Sequence, residues 1–294
     1  MKPRIIRPSS HEEWLKSREE GIGASEVGAI LGLSPYETPY SLWLKKTGQV
    51  EPEPENEAML MGHLLEDAVA KRWEMATGQK VIKASAADII YVHPEYDYMR
   101  VTPDRIVRGR KKLVEIKTTV TQVDPEDIYP HWLCQCQMQM YVTGIHDCDL
   151  AYLVQGRYFG YVNIPYDEEF AGYIAERVKE FWNENVLGRK EPDLISVSDF
   201  AMKGSDPGTT IDADEETLSH IFSVVKLNEE ISVSESARDV HKDAVKLYMG
   251  EAESLTVNGK PIATWKTGAR GRIFLLKNKN IEELQNQEEN EGAS

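Results

Sequence analysis

The run TPDRIVRGRKKLVEIK, residues 102–117, connects two apolar segments of strand character. Gly109 lies where the chain must turn, so residues 98–107 and Leu113–Thr119 are predicted to pair as neighbouring strands. Because side chains alternate along a strand, Glu115 and Lys117 share one face, and pairing brings Asp104 beside Glu115. The run therefore predicts two acids and one amine at a common point of a β-sheet.

This cluster suggests phosphodiester chemistry. Two adjacent carboxylates repel each other unless a cation lies between them, and their hard oxygen atoms suit Mg²⁺ or Mn²⁺. Lys117 could orient or deprotonate an attacking water, or offset charge in the transition state. An exposed hairpin with a cross-strand ion pair accounts for the same spacing. The spacing alone leaves both interpretations open.

Two further features bear on that choice. Glu66 follows Gly62 within a helix predicted over residues 57–77, at the border of an apolar face, where it can face solvent or bind a metal. Gln135 and Gln139 lie one turn apart on a helix predicted over residues 130–142. Their amides could bind phosphate or position a lysine, or they could be ordinary polar positions.

In chain order, the motifs resemble those of the YqaJ-type viral recombinases, the phage lambda exonuclease branch of the PD-(D/E)xK nucleases. They are GASE at residues 23–26, Gly62-x-x-x-Glu66, Pro103-Asp104, Glu115-x-Lys117 and Gln135-x-x-x-Gln139. The resemblance covers residues 10–190. It implies a restriction-endonuclease-like core, in which a central mixed β-sheet is flanked by helices.

The resemblance also implies roles for individual residues. Asp104, Glu115 and the Ile116 backbone carbonyl would coordinate Mg²⁺, with Mn²⁺ as a substitute. Glu66 would serve a second metal ion, Lys117 would act on the water, and Gln135 would organise the site.

A second group is implied to bind DNA. Trp14, Arg18 and Ser25, with Gln139, match positions that would hold the 5′-terminal phosphate. An arginine and a hydroxyl at a helix N-terminus are physically suited to that task. Trp14 can equally be a core anchor, and Ser25 a simple helix N-cap.

The function implied is Mg²⁺-dependent 5′→3′ digestion of one strand of duplex DNA. The 3′ overhang left behind would be used by a single-strand annealing protein in phage-type recombination, and the enzyme would be a homotrimer acting on DNA ends. An endonuclease using the same site is one alternative. A non-catalytic DNA-binding or assembly module is another, favoured by the net charge of −15.

The order of elements predicts an α/β (α+β) fold. We expect a nuclease domain over residues 1–190, a linker over 191–212, a helical arm and β-hairpin over 213–280, and a disordered tail over 281–294. No stretch of the 294 residues is apolar enough for a membrane span, and no signal peptide is recognisable. The expected location is the cytoplasm of a bacterial host, with a phage or prophage origin.

Cysteine and charge complete the expectations. Three cysteines, Cys134, Cys136 and Cys148, are predicted to be small buried residues on a helix and a following strand, without a disulfide framework or an iron–sulfur cluster. An acidic protein that handles DNA needs a local basic surface. The candidate is a basic run that could also be a solvated hairpin: Arg100, Arg105, Arg108, Arg110, Lys111 and Lys112.

Overall fold

The computed structural model describes residues 2–50, 56–83, 89–269 and 271–284. The chain divides into two compact units, Met1–Asp206 and Pro207–Ser294. In the described parts, no helix is both long and apolar enough to cross a membrane. The sequence also predicts a polar Pro/Glu linker over residues 51–56, and all of it except Asn56 lies outside the described residues.

The first unit combines helices with two sheets. Its helices are α1 (His11–Glu19), α2 (Val27–Ile30), α3 (Pro39–Lys46), α4 (Glu57–Thr77), α5 (Pro130–Thr143), α6 (Glu168–Glu180) and α7 (Val197–Lys203). Its strands are β1 (Arg4–Ile6), β2 (Ile22–Gly23), β3 (Val81–Lys83), β4 (Ile90–Val92), β5 (Met99–Val101), β6 (Arg105–Val107), β7 (Leu113–Thr119), β8 (Asp147–Val154) and β9 (Tyr158–Pro165). A 3-10 turn, Ala24–Glu26, precedes α2, and a π-helical segment, Phe181–Leu187, continues α6.

The larger sheet is the mixed sheet that the family resemblance implies. Its strand order is β3-β6-β7-β8-β9; β7 and β8 run parallel, and every other neighbouring pair is antiparallel. Apolar residues of α4 pack with Val114 and Ile116 on one face. Residues of α5 pack with Leu113 and the β8 side chains on the other. The side chains of Glu115 and Lys117 therefore face α5.

A second sheet, in the order β1-β4-β5-β2, lies outside the predicted pattern. The single strand predicted over residues 98–107 is wrong, because β5 belongs to this second sheet and β6 to the larger one. Pro103 lies between them. Proline has no N–H to donate to a ladder and has a fixed φ, so the chain leaves one sheet and enters the other there.

The sequence placed the end of the first unit too early. Residues 191–206, assigned to a linker, include α7 and belong to the first unit. Asp199 explains their order: its fully buried carboxylate accepts hydrogen bonds from Thr38 Oγ1 at 2.5 Å, the Ile195 N–H at 3.0 Å and the Ser196 N–H at 3.1 Å. A buried carboxylate with three donors fixes this segment.

The second unit contains a long helix and a small sheet. It comprises α8 (Glu215–Met249) and the antiparallel strands β10 (Ser254–Val257), β11 (Lys260–Gly268) and β12 (Gly271–Leu276). The dipeptide Asn258-Gly259 predicts the turn of a hairpin, and it does connect β10 to β11, with positive φ at both residues. Residues 278–284 are helical, so the prediction of disorder is wrong for residues 281–284. The rest of the predicted tail, 285–294, lies outside the described residues.

Close packing between α2 and α5 sets the position of the helix that faces β7. A Cβ atom added at Gly28 would lie 2.7 Å from the His131 Cβ and 3.3 Å from its Cα. At Gly172, within α6, an added Cβ would meet nothing within 4 Å. Gly28 therefore permits the approach of α5, whereas Gly172 serves no packing purpose.

We expect Gly28→Ala to lower the free energy of unfolding by about 1–3 kcal/mol, because the methyl group forces the two helices apart. The matched substitution Gly172→Ala should raise it by about 0.5–1 kcal/mol, as alanine has the higher helix propensity. Urea denaturation measures both. Equal effects of the two substitutions would contradict the assignment of Gly28 to this contact.

Candidate active site

Glu115 and Lys117 form the centre of the site, on the face of β7 that meets α5. The Glu115 side chain is only 1% exposed. Its Oε1 atom accepts from Lys117 Nζ at 2.7 Å and from Gln135 Nε2 at 2.6 Å. Lys117 Nζ also donates to Gln135 Oε1 at 2.8 Å, which closes a ring of three side chains. The predicted pairing of Glu115 and Lys117 on one face is confirmed.

Gln139 completes the shell around Glu115. One helical turn beyond Gln135, its Nε2 donates to Glu115 Oε2 at 2.8 Å. Both carboxylate oxygens therefore have donors, as a buried anion requires. The Gln139 Oε1 atom is buried without a hydrogen-bond partner among the described residues, and Gln139 lines the neighbouring cleft. That acceptor is available to a bound molecule.

Asp104 lies immediately before β6, next to the same strand. Its Oδ2 accepts from the Ile116 N–H at 2.7 Å. The β6–β7 ladder covers only Arg105↔Val114 and Ile106↔Leu113, so the Asp104 carboxylate supplies the acceptor that β6 does not offer to the Ile116 N–H. The break in pairing at Pro103 therefore carries the carboxylate into the site.

The electrostatics follow from burial of like charges. Burial, with the nearby negative charge of Glu115, raises the pKa of Asp104 well above its usual value. Burial acts to lower the pKa of Lys117, but the charges of Glu115 and Asp104 outweigh it, and the pKa lies above its usual value. Lys117 is therefore held as an ammonium, and the two acids need compensating positive charge.

Glu66 approaches the site from α4. Its Oε2 atom lies 3.4 Å from Arg105 Nη1, which also donates to the Asp104 carbonyl oxygen at 2.8 Å. Arg105 Nη2 pairs with Asp67 Oδ1 at 2.6 Å. The buried Arg105 guanidinium therefore links the segment carrying Asp104 to α4, a contact that sequence reasoning missed because it assigned Arg105 to an exposed basic run.

The site borders a cleft of ≈ 380 Å³. Its cationic lining residues are Arg18, Lys83 and Arg100, and its acids are Glu66 and Asp104. Gln135 and Gln139 also line it, so Glu115 lies directly behind lining residues. Lys83 was not foreseen, because its short strand β3 carries no distinct sequence pattern.

The predicted phosphate-binding residues gather in the same cleft. Trp14, Arg18 and Ser25 all line it, and the Arg18 guanidinium carbon lies 5.0 Å from the Trp14 ring centroid. Trp14 belongs to none of the buried apolar clusters of the described residues. Ser25 does not cap α2, because it lies inside the preceding 3-10 turn, where Glu26 Oε2 accepts the Gly23 N–H at 2.7 Å.

The six-residue basic run does not form one surface. Arg100 and Arg105 are buried, and Lys112 pairs with Asp149 at 2.7 Å. Arg108, Arg110 and Lys111 are exposed in the turn around Gly109, which has φ +74°. The prediction of buried cysteines is confirmed, with Cys134 and Cys136 on α5 and Cys148 on β8.

The chemistry of these groups can be tested against a divalent metal ion. Among the described residues, no group of three or more His, Cys, Asp or Glu side chains surrounds a common point. The neighbouring carboxylates of Asp104 and Glu115 nonetheless offer hard oxygen atoms, and the raised pKa of Asp104 indicates that its anionic form needs more positive charge nearby. These two acids therefore fit a hard divalent cation, with further ligands supplied by backbone, water or substrate.

The comparison with known proteins agrees with this architecture. Residues 13–146 match the family described as the YqaJ-like viral recombinase domain. The protein YqaJ of Bacillus subtilis (strain 168) is 34% identical over 277 residues, which make up 90% of this chain and 86% of that protein. The alkaline exonuclease LHK-Exo of Laribacter hongkongensis has a similar fold, with a TM-score of 0.50 and 22% identity over 60% of this chain and 93% of that one. Its complex with dAMP gives a TM-score of 0.50 and 23% identity over the same shares of the two chains. This chain belongs to the YqaJ-like viral recombinase family.

Proposed function

We propose that this protein is a Mg²⁺-dependent deoxyribonuclease that digests one strand of duplex DNA from its ends. The observation that carries the proposal is the ring of Lys117, Glu115 and Gln135. It is held beside Asp104 at the edge of a cleft that Gln135 and Asp104 line. A solvated hairpin would leave the same side chains in water. Here Glu115 is buried and two of its three donors come from a different element, α5, which favours a constructed site over a surface ion pair.

Asp104, Glu115 and the Ile116 carbonyl would hold the Mg²⁺ ion, with Mn²⁺ as a substitute, and Glu66 would serve a second ion. The Ile116 N–H points to Asp104. Because the N–H and C=O of one strand residue point to the same side, the Ile116 carbonyl faces that carboxylate too. A bound divalent ion would polarise the phosphate and lower the pKa of a water molecule.

Lys117 supplies the positive charge that the protein itself brings to the reaction. Its ammonium can donate to the attacking water or to a non-bridging phosphate oxygen while negative charge develops. Gln135 Oε1 at 2.8 Å and Glu115 Oε1 at 2.7 Å accept two of the ammonium protons, which fixes the direction of the third. Gln139 holds Glu115 from the opposite oxygen, which keeps the acid oriented towards Asp104.

Trp14, Arg18 and Ser25, with Gln139, would hold the terminal 5′-phosphate in the same cleft. Arg18 provides a guanidinium suited to phosphate oxygens, and Ser25 is an exposed hydroxyl of the lining. A strand held by its 5′ end beside the acid pair would be shortened in the 5′→3′ direction. A related alkaline exonuclease forms a complex with dAMP, which supports a nucleotide-sized ligand for a cleft in this fold.

The product would be a duplex with a 3′ overhang, which a single-strand annealing protein would use in recombination of phage type. The family description as a viral recombinase supports this setting. We further propose a homotrimer that acts on DNA ends in the bacterial cytoplasm. A ring would confine the positive surface to its interior, which suits a chain with a net charge of −15.

Substitution tests the assignment of the site. Asp104→Ala and Lys117→Ala should each lower Mg²⁺-dependent hydrolysis of end-labelled linear duplex by at least about 10²-fold, as for loss of one transition-state partner. The control is Lys71→Ala, which removes an exposed lysine of α4 that pairs with Glu74 at 3.2 Å. Circular dichroism checks the fold of all three variants. Wild-type rates in both site variants would refute the assignment.

Substrate topology separates exonuclease from endonuclease. With Mg²⁺, linear duplex should be degraded progressively to nucleotides, while covalently closed circles of the same sequence stay intact, because no end can enter the cleft. Gel analysis over time, with a chelator as the blank, records both. Rapid cutting of the closed circles would favour an endonuclease, and digestion of neither substrate would favour a non-catalytic DNA-binding or assembly module.

A further inference from the structure

Lys46, at the last position of α3, is a buried lysine outside the acid cluster. Its side chain is only 6% exposed. The ammonium donates to the Gly21 carbonyl oxygen at 2.6 Å and the Arg18 carbonyl oxygen at 3.0 Å, and it pairs with Glu26 Oε2 at 2.9 Å. A buried ammonium is stable only when its donors are satisfied, and these three partners satisfy all of them.

One of these partners, the Arg18 carbonyl, belongs to the end of α1, and a second, the Gly21 carbonyl, follows just after the helix. Arg18 lies in its last turn, where carbonyl groups lack helical partners and carry partial negative charge. A cation at these carbonyls fixes the direction in which the chain leaves α1. The Arg18 side chain lies in the cleft, over Trp14. Lys46 therefore holds the backbone from which the proposed phosphate ligand projects.

The third partner, Glu26, connects Lys46 to the 3-10 turn that carries Ser25. Glu26 Oε2 receives both the Lys46 ammonium and the Gly23 N–H, so one carboxylate oxygen joins Lys46 to the turn that carries Ser25. A Cβ atom at Gly23 would lie 3.6 Å from Glu26 Oε2 and 3.8 Å from Arg18 Nη2. The arginine head group therefore lies directly against this turn.

We propose that Lys46 is a positioning residue for the recognition of a 5′-terminal phosphate, which it influences by clamping Arg18 and the Gly23–Ser25 turn to each other. This inference rests on the proposed function. Lys46 itself does not line the cleft and so does not touch the substrate. We expect Lys46 to affect the Kd for a phosphorylated end, while Asp104 and Glu115 keep their positions.

The test compares binding and turnover of the full chain. Duplex oligonucleotides carrying a 5′-phosphate or a 5′-hydroxyl are titrated in Ca²⁺ without Mg²⁺, and the ratio of the two Kd values measures the preference. We expect Lys46→Met to reduce that ratio about tenfold and to raise KM for phosphorylated ends by a similar factor, equivalent to a charged hydrogen bond. The kcat value should change by less than about threefold.

Lys45→Met is the matched control, because Lys45 precedes Lys46 on α3 but pairs with Glu37 at 2.8 Å and is 39% exposed. Its Kd ratio and KM should equal those of the wild type. Arg18→Ala gives the reference loss for the phosphate ligand itself. Glu26→Gln keeps an acceptor for the Gly23 N–H but removes the ion pair, so an intermediate loss is expected.

The outcomes are distinguishable. A folded Lys46→Met variant with the wild-type Kd ratio, alongside a reduced ratio in Arg18→Ala, overturns the role of Lys46 and leaves the proposed function intact. If Lys46→Met does not fold, an unchanged ratio in Glu26→Gln has the same consequence. A wild-type protein that binds both ends equally overturns the phosphate site and the inference together.

Discussion

The arrangement of the site depends on the burial of one carboxylate. Removing Glu115 from water is costly unless donors replace its hydration. Those donors are Gln135 and Gln139 from α5 and Lys117 from β7 itself. Because they come from two elements, compensating a single charge also fixes the helix against the strand. The geometry needed for chemistry is therefore established before any ligand arrives.

The second acid reaches this point through an interruption of regular structure. Pro103 ends one strand, and Asp104 then uses its side chain where a continued ladder would have used its backbone. Had the β6–β7 ladder continued, a backbone carbonyl of β6 would have accepted the Ile116 N–H, and no carboxylate would have been needed there. The Ile116 carbonyl would then have accepted a hydrogen bond from the same strand. The end of the β6–β7 ladder before Ile116 therefore leaves a side-chain oxygen and a backbone oxygen on the same side of β7.

Charge distribution explains how an acidic protein can meet DNA. The net charge of −15 repels a polyanion at long range, but screening limits that repulsion to about 10 Å at ordinary ionic strength. Within the cleft, Arg18, Lys83 and Arg100 counter Glu66 and Asp104. Part of the basic run in the sequence is used internally, since Arg105 and Lys112 compensate buried or nearby acids. Attraction must be local, as the proposed function requires.

The sequence by itself determined the local pattern. Strand alternation put Glu115 and Lys117 on one face of β7, and helical spacing put Gln135 and Gln139 on one face of α5. It also indicated the family, and with the family the mixed sheet, because the order of the motifs can be recognised without any knowledge of packing. Only the tertiary structure decided that Arg105 is interior, that 98–107 is two strands, and that Lys46 joins Arg18 to Glu26. Such contacts link residues that are far apart in the chain. Their energies depend on the burial of both partners together, and the periodicity of one segment gives no information about that.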